Sequence, residues 1–160
     1  LRSGADKVAI NTAAVSDPNL ISQLAKEFGK QCVVISIPCK MVENKKWEVY
    51  MNGGRDKTGL EVFKWARKVI SLGAGELLVT SIDKDGLRNG FDLNLMREFN
   101  EIDDVPLIAS GGLGKPSHIS DLLSISNCEA IASADFLHMK RGNIQELKNI
   151  IFNSKFKVRL

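Results

Sequence analysis

The residue types able to do chemistry in this sequence gather where apolar runs give way to small polar residues. The clearest case lies between Val105 and Pro116, where Val-Pro-Leu-Ile-Ala breaks at Ser110 into Gly111, Gly112 and, after Leu113, Gly114. Glycine has no Cβ, so the backbone N–H groups of such a loop can approach an anion and turn toward it. Pro116 and Ser117 mark the start of a new helix. The glycines therefore fall between a strand's carboxyl end and a helix's amino end, where α/β proteins hold phosphate. A plain turn would use glycine in the same way. Other apolar runs end alike, in Asn11-Thr12 and in Thr80-Ser81, the latter followed by Asp83 and Asp85. Those two carboxylates suit proton carriage, and equally suit capping the turn before Gly86.

Each polar cluster needs an element to position it, and the hydrophobic pattern supplies one. Asp6–Thr12 reads as a short strand, followed by a helix with Asp17 as N-cap, Pro18 in its first position and Gly29 as its stop. Gln31–Ile37 is a second strand, apolar throughout as buried parallel strands tend to be. Lys40–Asp56 behaves differently: Trp47-Glu-Val-Tyr50 alternates and Asn52-Gly-Gly54 turns the chain. This predicts a hairpin excursion laid over a strand end, outside the core. Thr58 is expected to cap the next helix, with Glu61 completing a capping box and Val62, Trp65, Ala66, Val69 and Ile70 as the buried stripe. Strands are then expected at Glu76–Ser81, Val105–Ser110 and Ala130–Ala134, with helices at Leu93–Asn100, Ser117–Ile125 and Ile144–Phe152.

This β-α alternation argues a parallel sheet with helices outside it. Ser3-Gly-Ala-Asp-Lys-Val-Ala resembles Ser126-Asn-Cys-Glu-Ala-Ile-Ala, and both lead from a helix end through a strand to a helix. Such likeness suits a barrel of two halves. In a β/α barrel the strand carboxyl ends carry the active site, and the last two loops commonly hold phosphate. The polar clusters above would share that rim.

The 160 residues suit a single domain, 1–160, with 44% hydrophobic and 26% charged residues and a net charge of +3. No lysine or arginine block suggests nucleic acid as partner, and no run approaches the ~18 apolar residues of a membrane span. Cys32, Cys39 and Cys128 are an odd number without metal spacing, which fits a reduced, cytoplasmic chain. The opening Leu-Arg-Ser-Gly, without an initiator methionine, reads like the tail of a helix and suggests that an N-terminal part is missing.

Gly4-Ala-Asp-Lys-Val-Ala-Ile-Asn-Thr-Ala-Ala-Val, Gly73-Ala-Gly-Glu-Leu-Leu-Val-Thr-Ser-Ile-Asp-Lys-Asp-Gly and Ile108-Ala-Ser-Gly-Gly-Leu-Gly resemble the cyclase subunit of imidazole glycerol phosphate synthase, an enzyme of histidine biosynthesis. The resemblance runs through the closing Glu146-Leu-Lys and Val158-Arg-Leu. It implies a (βα)8 TIM barrel, of which this chain supplies about strand four to the last helix. It implies ammonia from a glutaminase subunit, a ribotide substrate phosphorylated at both ends, and neither metal nor cofactor. Carried over by residue, Ser110, Gly111 and Gly112 hold one phosphate with Ala134 and Asp135 beside them, and Asn11 and Thr12 help hold the other. Thr80 and Asp85 are the catalytic residues between them. Lys7 and Glu76 match charged residues at the opposite mouth, where ammonia enters; as a buried charge needs a partner, they suit a structural ion pair equally.

Two positions depart from the family pattern. Pro38 stands where the family has its second catalytic aspartate, and it has no proton to exchange. Asp135 stands where the family has a phosphate-binding serine, and a carboxylate beside a phosphate is repulsive by ~4 kcal/mol for a unit pair about 4 Å apart at intermediate dielectric. The departures leave room for a paralogous ammonia-using synthase of modified surface sugars, or a non-catalytic phosphate-binding scaffold for a glutaminase. The sister isomerase of the same pathway shares the phosphate sites, but the Thr80–Gly86 motif and the excursion around Trp47 favour the cyclase.

Overall fold

The structure is a computed structural model that describes residues 1–154 together with Phe156 and Val158, so Arg159 and Leu160 of the closing motif lie outside the described residues. Strands β1 (Val8–Ile10), β2 (Val33–Glu43), β3 (Lys46–Met51), β4 (Asp56–Glu61), β5 (Glu76–Ser81), β6 (Leu107–Ser110) and β7 (Ala130–Ala132) form one sheet. Within it β1, β2, β5, β6 and β7 are parallel neighbours in chain order. Helices α1 (Thr12–Ser16) and α2 (Asn19–Phe28) follow β1, α3 (Val62–Ser71) precedes β5, and α4 (Leu93–Glu98) precedes β6. Helix α5 (Ser117–Leu123) precedes β7, and α6 (Asp135–His138) and α7 (Ile144–Asn153) follow it. Parallel strands added in sequence, each followed by helix, are the progression of a (βα)8 barrel; the chain is a portion of one.

Burial divides the two faces of the parallel strands. Leu77, Val79 and Ser81 of β5 are buried, and so are Leu107 and Ala109 of β6 and Ile35 and Ile37 of β2. The alternate residues Ser36, Pro38, Leu78, Thr80, Ile108 and Ser110 are only partly buried. Side chains alternate across a strand, so the helices pack on the first set and the second forms an inner face. On that face Pro38, Thr80, Ser110 and Ala132 are consecutive register partners, one row across the carboxyl end of the sheet.

Strand β5 has the bounds its sequence predicts. The region from Lys40 does not follow expectation, because β2 runs on to Glu43 and pairs antiparallel with β3, which pairs with β4. The excursion is therefore a three-stranded antiparallel extension, and it is not outside the core. Trp47 is 1% exposed and Val49 fully buried; Trp47 meets Phe63 of α3 edge-on at 5.9 Å between centroids. Alternation in β3 buries one face on α3, which the flanking polar residues conceal. The expected cap is also displaced. Glu61, not Thr58, is the N-cap of α3, its carboxylate accepting from the amides of Phe63 (2.9 Å) and Lys64 (2.8 Å). Thr58 belongs to β4, where its hydroxyl donates to the Val49 carbonyl.

Two short helices, α1 and α6, arise after β1 and β7 where no helix is expected from the sequence, and Thr12, expected to end the first strand, begins α1. β1 and β7 are each followed by a short helix and then a longer one, which extends the likeness between the Ser3 and Ser126 segments. Helix α2 starts one residue later than expected, with Pro18 as its N-cap in place of Asp17, whose carboxylate still accepts from Asn19 N at 3.1 Å.

Candidate functional site

The carboxyl ends of β5, β6 and β7 enclose a cleft of about 250 Å³. It is lined by Thr80 and Asp85 from the β5 end, Ser110, Gly111 and Gly112 from the β6 end, and Ala134 and Asp135 from the β7 end. Seven of the eleven residues expected to form a site are thus brought together. A larger apolar groove, about 690 Å³, lies by β7, α5 and α7 and holds none of the eleven.

The glycines have a reason that sequence does not reveal. A Cβ on Gly112 would stand 2.1 Å from the Gly90 carbonyl oxygen, and one on Gly114 would stand 2.1 Å from that of Arg88. The loop after β5 is thus seated against the loop after β6, and Gly90 N–H donates to Gly112 O at 2.9 Å. Gly112 also lies at φ +101°, a conformation that side chains resist. The glycines serve first to lock two rim loops together, which leaves Gly111 and Gly112 lining the cleft.

Arg88, which sequence analysis misses, enters the cleft through this lock. It grips Asp135 with two parallel hydrogen bonds of 2.9 Å, Nε to Oδ2 and Nη2 to Oδ1, and Arg141 Nε donates to Asp135 Oδ2 at 3.3 Å. The Arg88 bond above all holds the Asp135 carboxyl below its usual range. The repulsion expected between Asp135 and a phosphate therefore meets two guanidinium groups that neutralise the carboxylate. Nothing near Arg88 in sequence signals a pair 47 positions away; its place on a strand-end loop is the only hint.

The two candidate acids separate. Asp83 accepts from Met41 N at 2.7 Å and so ties the β5 loop to the extension of β2. Asp85 lines the cleft. Below them Asp92, 6% exposed, accepts from Trp47 Nε1 (3.2 Å), Ser81 Oγ (3.3 Å) and Leu95 N (3.1 Å). That carboxylate joins β3, β5 and the start of α4. Behind the glycine loop His118, 8% exposed, accepts from Gly114 N at its Nδ1 (3.2 Å). Burial, with Lys115 adding to it, lowers the pKa of His118 below 6.5, against smaller opposing effects of Asp121 and the Gly112 backbone. Burial pushes the Cys39 thiol far up, with Asp92 and Asp83 adding to it, which leaves it no nucleophile.

Asn11 and Thr12 stand at the carboxyl end of β1, on the same edge of the sheet as Gly112, but do not line its cleft. Asn11 Nδ2 donates to the carbonyls of Ser36 (3.2 Å) and Tyr50 (3.0 Å), and Thr12 Oγ1 accepts from Asn52 N (2.9 Å). Their side chains bind β1 to β2 and to the turn after β3. Lys7 and Glu76 form an ion pair at the amino ends of β1 and β5, the opposite edge from the cleft. Among the described residues no group of His, Cys, Asp and Glu is placed to hold a metal, and no helix is long and apolar enough to cross a membrane.

A family model described as "Histidine biosynthesis protein" matches residues 1–143. The chain is 47% identical to "Imidazole glycerol phosphate synthase subunit HisF" of Prochlorococcus marinus, covering 99% of this chain and 63% of that relative. It is 45% identical to the protein of the same name from Bacillus cereus and 46% to one from Clostridium botulinum, each covering 100% of this chain and 64% of the relative. The chain thus spans slightly less than two thirds of the length of these relatives.

Proposed function

The chain belongs to the histidine biosynthesis protein family, and on that premise we propose that it is the phosphate-binding portion of an imidazole glycerol phosphate synthase cyclase subunit. The observation that carries this reading is the convergence of Thr80, Asp85, Ser110, Gly111, Gly112 and Ala134 on one cleft at the strand carboxyl ends. Main-chain amides of the glycine loop hold one phosphate of a phosphoribulosyl formimino carboxamide ribotide, and Arg88 supplies positive charge at its rim. The second phosphate falls to Asn11 and Thr12 on the same edge. Asp85 and Thr80 face the reacting centre between them, Asp85 moving protons and Thr80 orienting the substrate by hydrogen bonds.

Ammonia comes from a glutaminase subunit docked at the amino ends of the strands, entering beside the Lys7–Glu76 pair. It adds to the ribulosyl portion, the imidazole ring closes, and aminoimidazole carboxamide ribotide leaves with imidazole glycerol phosphate. The protein acts in the cytoplasm, where Cys32, Cys39 and Cys128, all free thiols, stay reduced.

Pro38 favours a second reading. It is the register partner of Thr80 and presents no ionisable group to the row where ring closure needs an acid or base. A paralogous synthase that delivers ammonia to another phosphorylated sugar, or a scaffold that only binds phosphate and a glutaminase, requires no carboxylate there. The test is incubation of the protein with the ribotide and ammonium, with chromatographic detection of both products. Product formation abolished by Asp85→Asn supports the cyclase; ribotide binding without product supports the second reading. Failure to bind the ribotide rejects the cyclase, and failure to bind inorganic phosphate as well rejects both readings.

A further inference from the structure

We propose that Arg88 is the side chain that recognises the phosphate in this cleft, and that Asp135 is its resident counter-ion, displaced when phosphate arrives; this rests on the phosphate reading above. The Arg88 backbone is fixed at φ +60°, its carbonyl packed against Gly114 and its loop bonded through Gly90 to Gly112. A non-glycine residue rarely adopts that conformation; here Arg88 lines the cleft with its guanidinium on Asp135.

The fork that Arg88 presents to Asp135 is the geometry that fits phosphate oxygens equally well. Asp135 therefore occupies the place of the ligand's charge. Its hold on Arg88 is reversible, because the two side chains are 44% and 28% exposed and can part without stranding a buried charge. Arg141 stays on Asp135 after Arg88 leaves. Within this cluster two guanidiniums face one carboxylate, a surplus of one positive charge that the Asp85 carboxylate lining the same cleft offsets. A dianionic phosphate competes with Asp135 for Arg88 better than a monoanion does, so the pair also selects for charge. The family's serine position thus carries, in this chain, an acid that tunes affinity instead of a direct ligand.

The experiment is calorimetric titration with inorganic phosphate of the parent protein, Arg88→Gln and Asp135→Asn, with thermal unfolding to show that each is folded. Arg88→Gln is expected to bind phosphate about tenfold or more weakly, by loss of a charge-assisted bidentate contact. Asp135→Asn is expected to bind more tightly than the parent, because Arg88 is released. Where Arg88→Gln does not fold, Arg88→Lys keeps the charge without the fork and is expected to bind more weakly than the parent. Parent-like affinity in the folded Arg88 variant, or weaker binding by Asp135→Asn, would overturn the proposal while leaving the phosphate site intact. A parent that binds no phosphate would defeat the phosphate reading itself, and this proposal with it.

Discussion

Pro38 and Thr80 are register partners across β2 and β5, side by side on the inner face of the sheet. The proline is tolerated in a central strand because β1 pairs only with Val33–Ile35 and β3 only from Cys39 onward. Between them β2 has an edge without a strand partner, where a missing N–H costs little, and Asn11 Nδ2 bonds the Ser36 carbonyl there. Pro38→Asp therefore meets no ladder constraint and restores an ionisable group beside Thr80. It is expected to raise ammonia-dependent product formation by about 10²-fold, the lower range for a positioned acid or base. An unchanged rate would assign the deficit elsewhere.

Gly112→Ala is expected to destabilise the protein by about 2 kcal/mol or more, since it combines a strained positive φ with a methyl driven against the Gly90 carbonyl. Urea unfolding measures the loss. Gly86→Ala, at φ +74° but with open space around it, carries the strain without the collision and should cost less.

Asp92 holds three donors from three elements. Asp92→Ala leaves the buried Trp47 N–H without its acceptor and removes the N-cap of α4, an expected loss of about 2–4 kcal/mol by urea unfolding. In a Trp65→Phe background, Trp47 fluorescence should report the loosened β2–β3–β4 extension before global unfolding.

His118 predicts a pH dependence. Its pKa is lower in the folded protein than the ordinary 6.5, so the unfolded state binds more protons as pH falls through that value. Stability is expected to be level above about pH 7 and to decline below 6.5 until the folded-state pKa is passed. In His118→Gln that part of the decline should vanish, which unfolding midpoints at pH 7.5 and about 5.5 would check.

Much of the parallel sheet is legible in the sequence, because apolar runs bounded by glycines and capping residues mark strands and helices locally. Glu76–Ser81 is the plainest case, with its polar end and its glycine-rich approach. Residues whose partners are distant in the chain are not legible. Trp47 reads as exposed because its neighbours are polar, yet alternation buries it against α3. The Thr58–Glu61 pattern contains the capping residue but not its register. Gly111, Gly112 and Gly114 announce a special loop, while the Ser81, Gly90 and Arg88 carbonyls that require them lie more than twenty positions earlier. Arg88 itself carries no local signal, as its meaning comes from Asp135.

The central claim is that the loops after β5, β6 and β7 hold a sugar phosphate together. Nuclear magnetic resonance of the amide-labelled protein, titrated with imidazole glycerol phosphate, tests it most directly. The amides of Gly112 and Ala134 and the side-chain Nε–H of Arg88 should shift along one saturation curve. Shifts confined to other parts of the molecule, or none at millimolar ligand, would contradict it.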